Sequence, residues 1–462
     1  MNRTLRWTAI IALCSGACAQ AATDLKYSFP GNTAEPGYTA VTPDDVYTID
    51  HGYGFDLGSH WHSGKPVLFS TKLGPGEYQV TVTLGDPNAE TVATVKSETR
   101  RLMLQSVHVP RGETKSFTFL VHVRVPQIPG GGMVSFKPRE RDPILFIQWD
   151  DKTLIPFKEL DWDEKLTLEF SDKNPALRSI EITDAPANPI TVYLVGDSTM
   201  TDQMMEPWAA WGQMLPRFFT PPVVIANYAE CGETTASFIG EHRWAKLLSE
   251  IHAGDYVLIQ FGINDQRMPV EQFKQYFIQF ITDTRAHGAT PVLVTSQNLR
   301  RLDANGKAVQ TLRNFPDAMR DAAKEQNVAL IDLNAMSMSL YEALGPAKLP
   351  KMFVDGTHQD DYGAYELCKC VINGIVADKL PFAQYLTSDW TPFDPAHPDS
   401  MEAFDMPPDP QLDPARPGGP GAPNGQGPMA GAPPARGGRA RGPATRPVAP
   451  AAVPVTMPSP TP

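Results

Sequence analysis

Cysteine is scarce in this chain. Five are present, Cys14, Cys18, Cys231, Cys368 and Cys370, and the first two fall in a stretch that reads as a removable leader. The remaining three are an odd number, so at least one thiol stays unpaired and no disulfide framework is implied. No Cys/His spacing of a zinc site occurs. Long apolar runs are missing too: no segment approaches the roughly 18 apolar residues of a membrane-spanning helix. Positive charge is in deficit, with 40 Lys and Arg against 52 Asp and Glu for a net charge of −12. That balance argues against a nucleic-acid partner, whose phosphates demand Lys/Arg patches, and disfavours adsorption to anionic membranes.

What the chain has is length and apolar patterning. Its 462 residues exceed one ordinary domain, and a hydrophobic content of 42% is enough for packed cores. The N-terminus carries Arg3 and Arg6, a short apolar run from Trp7 to Leu13, and then Ala19-Gln20-Ala21, the small-x-small pattern of a cleavage site. Residues 1–21 are expected to be an export signal that sends the chain to the periplasm or out of the cell. The alternative is a lipoprotein leader acylated at Cys18 after Gly16-Ala17. Ser15 weakens it, because such signals prefer Leu there.

Residues 22–189 read as all-β. Polar and apolar residues alternate over 78–84 and 116–123, and strand-forming runs follow at 165–170 and 179–182. Gly/Pro/Asp clusters such as Leu73-Gly74-Pro75-Gly76 separate them. Short strands at this spacing predict a β-sandwich or jelly roll. Tyr47, His51, Tyr53, Phe55, Trp61, His62 and Trp149 crowd this half. Packing is the ordinary role of such rings, and a surface that stacks on sugars is the alternative.

The linker Ala185-Pro186-Ala187-Asn188-Pro189 separates this region from one of different rhythm. Over 190–389, strand-like runs at 190–195, 223–227, 256–261, 290–295 and 328–332 alternate with helical patterns at 270–287 and 315–326. Alternation of this kind predicts a mostly parallel sheet with helices on both faces. Right-handed crossovers then bring the C-terminal ends of the strands to one edge. From about Trp390 the apolar periodicity fades and Pro and Gly dominate. Beyond Pro414 the only charges are Arg416, Arg436, Arg439, Arg441 and Arg446. Residues 390–462 are expected to be a disordered tail.

Four segments carry chemistry, each at a predicted strand end or in the loop after the last strand. Gly196-Asp197-Ser198 ends the first strand and offers a serine. Cys231-Gly232-Glu233 follows the second, and Gly232 lets a backbone N–H approach an oxyanion. Gly262-Ile263-Asn264-Asp265 follows the third, with Asn264 as an amide donor. Asp355-Gly356-Thr357-His358 spaces an acid and an imidazole for one tight turn, so that His358 can reach Ser198 while Asp355 holds its tautomer. Each segment alone is a common turn. All four together, in this order, make a nucleophile, a base, an orienting acid and an oxyanion hole.

The region from about Ile190 to about Phe382 resembles the SGNH hydrolase superfamily, whose members carry Ser, Gly, Asn and His in four such blocks. The sequences around Gly196-Asp197-Ser198, Gly262-Ile263-Asn264-Asp265 and Asp355-Gly356-Thr357-His358 look most like rhamnogalacturonan acetylesterases, which deacetylate a pectin backbone. The resemblance implies a flavodoxin-like three-layer α/β/α domain behind the β-sandwich. It implies Ser198 as nucleophile, His358 as base and Asp355 as orienting acid. It also implies an oxyanion hole of Ser198, Gly232 and Asn264, no metal or cofactor, and an acetylated polysaccharide or oligosaccharide as partner. Deacetylation of xylan or another acylated glycoside stays open, as does sugar binding without catalysis. Two positions depart from the pattern: Ile263, where relatives often have His, and Glu233, where they often have Arg. Both are expected on the substrate face, where a Glu would repel a galacturonate carboxylate. Bland roles are expected for Asp265 as a loop brace, Trp208 and Trp211 as packing, Cys231 as packing, and His242, His252 and His287 as surface residues. Arg300 and Arg301, after the fourth strand, are either solvated or placed to meet uronates.

Overall fold

The computed structural model describes residues 22–30, 36–57, 59, 61, 66–136, 161–204 and 206–408. The expected leader with Cys14 and Cys18, the rings of His62 and Trp149, and the tail beyond 408 with its arginines lie outside the described residues.

Ten strands build the N-terminal half: β1 (Asp24–Ser28), β2 (Thr39–Ala40), β3 (Tyr53–Phe55), β4 (Val67–Lys72), β5 (Gly76–Leu84), β6 (Thr91–Ser97), β7 (Arg101–Val109), β8 (Lys115–Val123), β9 (Lys165–Asn174) and β10 (Leu177–Asp184). Burial alternates along β5, where Val80, Val82 and Leu84 point inward between half-exposed neighbours, as period 2 requires. These residues share one core with Ile180 and Ile182 of β10, Phe69 of β4, Val95 of β6 and Leu166 and Phe170 of β9. One sheet runs β2-β1-β10-β5-β8 and the other β3-β4-β9-β6-β7, so the shared core makes a sandwich. Without the short β2 and β3, one sheet takes the first, eighth, third and sixth strands and the other the second, seventh, fourth and fifth. That interleaving is the jelly-roll order. Phe55 and Trp61 pack in or against this core, the ordinary role expected for them.

The second half holds a parallel sheet of β11 (Ile190–Gly196), β12 (Val223–Asn227), β13 (Tyr256–Gln260), β14 (Thr290–Val294) and β15 (Ala329–Ile331). Its order is β12-β11-β13-β14-β15, the 2-1-3-4-5 arrangement of flavodoxin-like folds. Its helices are α1 (Trp211–Met214), α2 (Thr235–Gly240), α3 (Arg243–Leu248), α4 (Val270–Ala286), α5 (Phe315–Gln326), α6 (Leu333–Lys348) and α7 (Asp361–Ala377). Val192 and Leu194 join a core with α1, α6 and α7. Tyr193 and Val195, on the opposite face, join one with α2 to α5. A buried strand flanked by two such cores gives three layers. β11 pairs with β12 on one side and β13 on the other, so the topological switch point lies at its C-terminal end, where open α/β sheets bind ligands. Among the described residues no helix is long and apolar enough to cross a membrane.

One expectation is corrected. Packing does not stop at residue 389: Trp390, Phe393, Met401, Phe404 and Met406 lie against the core on the α7 side. The Tyr362 hydroxyl donates to Asp399 O at 2.7 Å. Lys369 pairs with Asp399 and sits 4.1 Å from the centre of the Phe393 ring. An irregular segment buries its apolar side chains one at a time, which periodicity cannot register. A chain cut after Asp389 should therefore melt at least about 5 °C below one cut after Pro408, since about 1 kcal/mol moves Tm by about 2–4 °C at this size. Equal melting temperatures by calorimetry would show that residues 390–408 add no stability.

Candidate active site

β11 ends at a glycine for a steric reason. A Cβ at Gly196 would stand 2.7 Å from Gln260 O and 2.9 Å from the Met200 sulfur, so only glycine lets the turn fold back over β13. The turn is tight: the N–H groups of Met200 and Thr201 donate to Asp197 O at 3.0 and 3.1 Å. The buried Asp197 carboxylate accepts from Thr199 N at 3.0 Å and Thr199 Oγ1 at 2.7 Å. Thr199 Oγ1 accepts in turn from Gln260 Nε2 at 2.8 Å, and Gln260 Oε1 from Trp211 Nε1 at 2.9 Å. Gln203 Nε2 donates to Ser198 O at 2.6 Å. Backbone and neighbours are pinned on every side, which leaves the Ser198 hydroxyl as the free end. Burial pushes the Asp197 carboxyl up to about 6, against the hydrogen bonds from Thr199.

The Asp355–His358 turn supplies the other half. Asp355 Oδ1 accepts from Thr357 N at 2.7 Å and His358 N at 2.8 Å, which closes the turn. Its Oδ2 lies 2.8 Å from His358 Nδ1, and His358 Nε2 lies 2.8 Å from Ser198 Oγ. A carboxylate at Nδ1 favours the tautomer whose Nε2 is an acceptor for the serine hydroxyl. Partial burial pushes the Asp355 carboxyl up, but the hydrogen bonds from His358 and Thr357 outweigh it and hold it below the usual range. The acid thus stays ionised beside the imidazole.

Hydrogen bonds also tie in the remaining two blocks. Glu230 N donates to Gly196 O at 3.1 Å. Gly232 adopts φ +68°, a left-handed turn that favours glycine. Asn264 Nδ2 donates to Glu233 O at 3.0 Å. Asp265, buried and with its carboxyl pushed up by that burial, accepts from Thr235 N, Thr235 Oγ1 and Gly262 N. It therefore braces the loops after β12 and β13, the role expected of it. Ser198, Gly232 and Asn264 follow β11, β12 and β13, the three strands around the switch point.

Glu233 overturns an expectation. It is fully buried, accepts from Ser237 Oγ at 2.6 Å, and lies 3.8 Å from Arg243 Nε. Its charge faces the interior, so the argument that it repels a galacturonate falls. Ile263 is half-buried beside the exposed Asn264. Trp211 is buried and packs. Cys231 is half-buried, its sulfur 3.8 Å from Gln203 Oε1. His242, His252 and His287 are exposed. Arg300 N donates to Gly356 O at 3.0 Å, beside the acid–base turn. The sequence reading missed Gln203 and Arg100. Gln203 carries no motif, and Arg100 lies far back in the β-sandwich. No group of three or more His, Cys, Asp or Glu among the described residues is arranged to hold a metal ion.

Residues 194–364, a span that includes all five candidate residues, match the GDSL-like Lipase/Acylhydrolase family. The rhamnogalacturonan acetylesterase RhgT of Bacillus subtilis is 40% identical over 221 residues, 43% of this chain and 95% of that one. The uncharacterized esterase YxiM of the same organism is 25% identical over 379 residues, 75% of this chain and 89% of the relative. The crystal structure of YxiM covers 78% of this chain and 99% of its own at 22% identity, with a TM-score of 0.44. With the family match over residues 194–364 and 40% identity across 95% of RhgT, the chain belongs to the GDSL-like lipase/acylhydrolases, the SGNH hydrolases, and is a carboxylic ester hydrolase.

Proposed function

We propose that the protein is a serine acetylesterase acting on an acetylated pectin backbone of the rhamnogalacturonan type. The observation that carries this reading is the unbroken line Asp355–His358–Ser198, with 2.8 Å at each side-chain step. In this mechanism Ser198 Oγ attacks the ester carbonyl carbon while His358 Nε2 takes its proton, and Asp355 stabilises the imidazolium that forms. The oxyanion is held by the N–H groups of Ser198 and Gly232 and by Asn264. One amide proton of Asn264 is committed to Glu233 O, and an amide has a second to give. Each such donor lowers the barrier by about 3 kcal/mol. His358 returns the proton to the departing sugar hydroxyl, leaving an acetyl group on Ser198. Water then attacks it by the same route, with His358 as base, and acetate leaves.

Two observations support the substrate. The relative at 40% identity is a rhamnogalacturonan acetylesterase. The loop after β14, which leans on the acid–base turn through Arg300 N, also carries cations: Lys307 is paired with Glu342 at 2.8 Å, whereas Arg300 and Arg301 have no carboxylate partner among the described residues. In a chain of net charge −12, two guanidinium groups with no carboxylate partner among the described residues, on the loop bonded to that turn, suit the carboxylates of a uronate polymer. Export through the leader expected at 1–21 would bring the enzyme to such a polymer.

Ser198→Ala should lower turnover of p-nitrophenyl acetate by about 10⁴-fold or more, and Asp355→Asn by about 10³-fold or more. Activity near the parent level in either variant would refute the assignment. The double variant Arg300→Ala, Arg301→Ala should raise KM about tenfold on acetylated rhamnogalacturonan, the loss expected for a charge-assisted contact of about 1.5 kcal/mol. Its KM on acetylated xylan, which presents no uronate backbone, should rise less. Equal losses on both polymers would remove the uronate reading.

A further inference from the structure

We infer that the turn between β6 and β7 of the N-terminal sandwich, through Arg100, is a positioning element for the Ser198–His358 pair. The sandwich then works as part of the catalytic unit. This rests on the triad reading above.

The turn Glu98-Thr99-Arg100 is held on one side by the N-terminal half, where Glu98 N donates to Thr167 O at 2.8 Å and Thr99 N to Asp161 Oδ1 at 3.4 Å, and it reaches the second half through Arg100. Glu98, Thr99, Arg100 and Arg101 are all buried, and Leu102 belongs to the core shared with α1, α6 and α7. Glu98 and Arg100 both sit in the left-handed region, at φ +51° and +59°. Two such non-glycine residues in one turn persist only where the surroundings over-determine them. For Arg100 the surroundings are the segment behind Ser198. Arg100 Nη1 donates to Trp208 O at 2.7 Å and Gln203 O at 3.3 Å. Gln213 Nε2 returns a bond to Arg100 O at 3.3 Å. Gln203 is the residue whose side chain holds Ser198 O. On the other side, Arg100 Nη2 reaches Asp361 Oδ1 at 3.2 Å, three residues beyond His358 and at the start of α7. One guanidinium therefore spans the nucleophile segment and the helix that follows the base.

Arg101 anchors the same turn. Its Nε donates to Asp202 Oδ2 at 2.6 Å, and Asn227 Nδ2 holds Asp202 Oδ1 at 2.8 Å. Both members of that ion pair are buried. A planar fork with several fixed donors suits a bridge between two segments. A misplacement of about 1 Å between reacting groups costs about 100-fold in rate, so a bridge of this kind acts on kcat.

The test uses the full chain and p-nitrophenyl acetate, which carries no sugar and so is blind to any polysaccharide-binding role of the sandwich. Arg100→Met should lower kcat about 10- to 100-fold, keep KM within about twofold, and retain a cooperative melting transition. Arg100→Lys, which can serve one acceptor but not all three, should recover part of the loss. A folded Arg100→Met variant with kcat within about twofold of the parent overturns the inference, as does a loss carried by KM. If Arg100→Met does not melt cooperatively, Asp361→Ala decides, because it removes the carboxylate that accepts from Arg100 Nη2 and leaves the arginine in place. A kcat reduced several-fold supports the bridge, and an unchanged kcat overturns it. Ser198→Ala run in parallel separates the two readings. If it keeps the parent rate, the triad reading fails and takes this inference with it. If it is inactive while Arg100→Met is not, only the bridge fails.

Discussion

Ser198 Oγ and His358 Nε2 meet at 2.8 Å across 160 residues of chain. A single bond of that kind is worth about 1 kcal/mol net, far too little to draw together segments so remote. It is a consequence of the sheet, which sets β11 between β12 and β13 and so puts three loop starts side by side. The fourth loop arrives from α6 and closes on itself through Asp355 before it meets the serine. The His358 backbone N–H and Nδ1 both bond to the same carboxylate, so ring and backbone are fixed together. Asp355 is therefore a folding device for this turn, whatever else it does.

The Ser198 side is held differently, by buried polar groups. Asp197, Thr199, Gln260 and Trp211 make one line of hydrogen bonds beneath the turn. Asp202, Arg101 and Asn227 make a second behind it. Burial raises the carboxyls of Asp197 and Asp202 to about 6, in the second case against the opposing pull of Arg101. Asp197 Oδ2 is buried without a hydrogen-bond partner among the described residues. Arrangements of this sort add little net stability, because desolvation cancels much of the attraction. They do penalise every geometry but one, since a partner lost from a buried ion pair costs about 3–5 kcal/mol. A turn that must aim one hydroxyl gains more from that selectivity than from a better-packed apolar floor.

Much of this was legible in the sequence, for reasons tied to particular residues. Parallel strands buried on both faces are short apolar runs, so 223–227 and 290–295 could be read with little error. α5 follows the helical pattern read at 315–326, and its bounds have local causes: Pro316 opens it and Asn327, left-handed at φ +50°, closes it. The chemistry was legible because the fold delivers it at strand ends, where motif and boundary coincide. What was not legible is direction. Glu233 stands one residue from Gly232, yet its side chain points inward to Arg243, and spacing does not reveal which way a loop residue faces. β6 was obscured by its polar residues: Lys96 is buried because Glu169, on the neighbouring β9, lies 3.3 Å away. Arg100 and Trp390 share a cause. Each is decided by a partner far along the chain, and no local pattern encodes it.

The two sides of the reacting pair differ in exposure, and that bears on what the site can accept. Ser198 is 6% exposed, whereas the His358 and Asp355 side chains are 28% and 50% exposed. Of the pair, the His358 side faces solvent more than Ser198 does, and the Arg300 backbone N–H bonds to the same turn at Gly356 O. An ester has to reach Ser198 past these more exposed partners, so burial shields the serine while the turn that carries His358 stays open to the water that hydrolysis consumes.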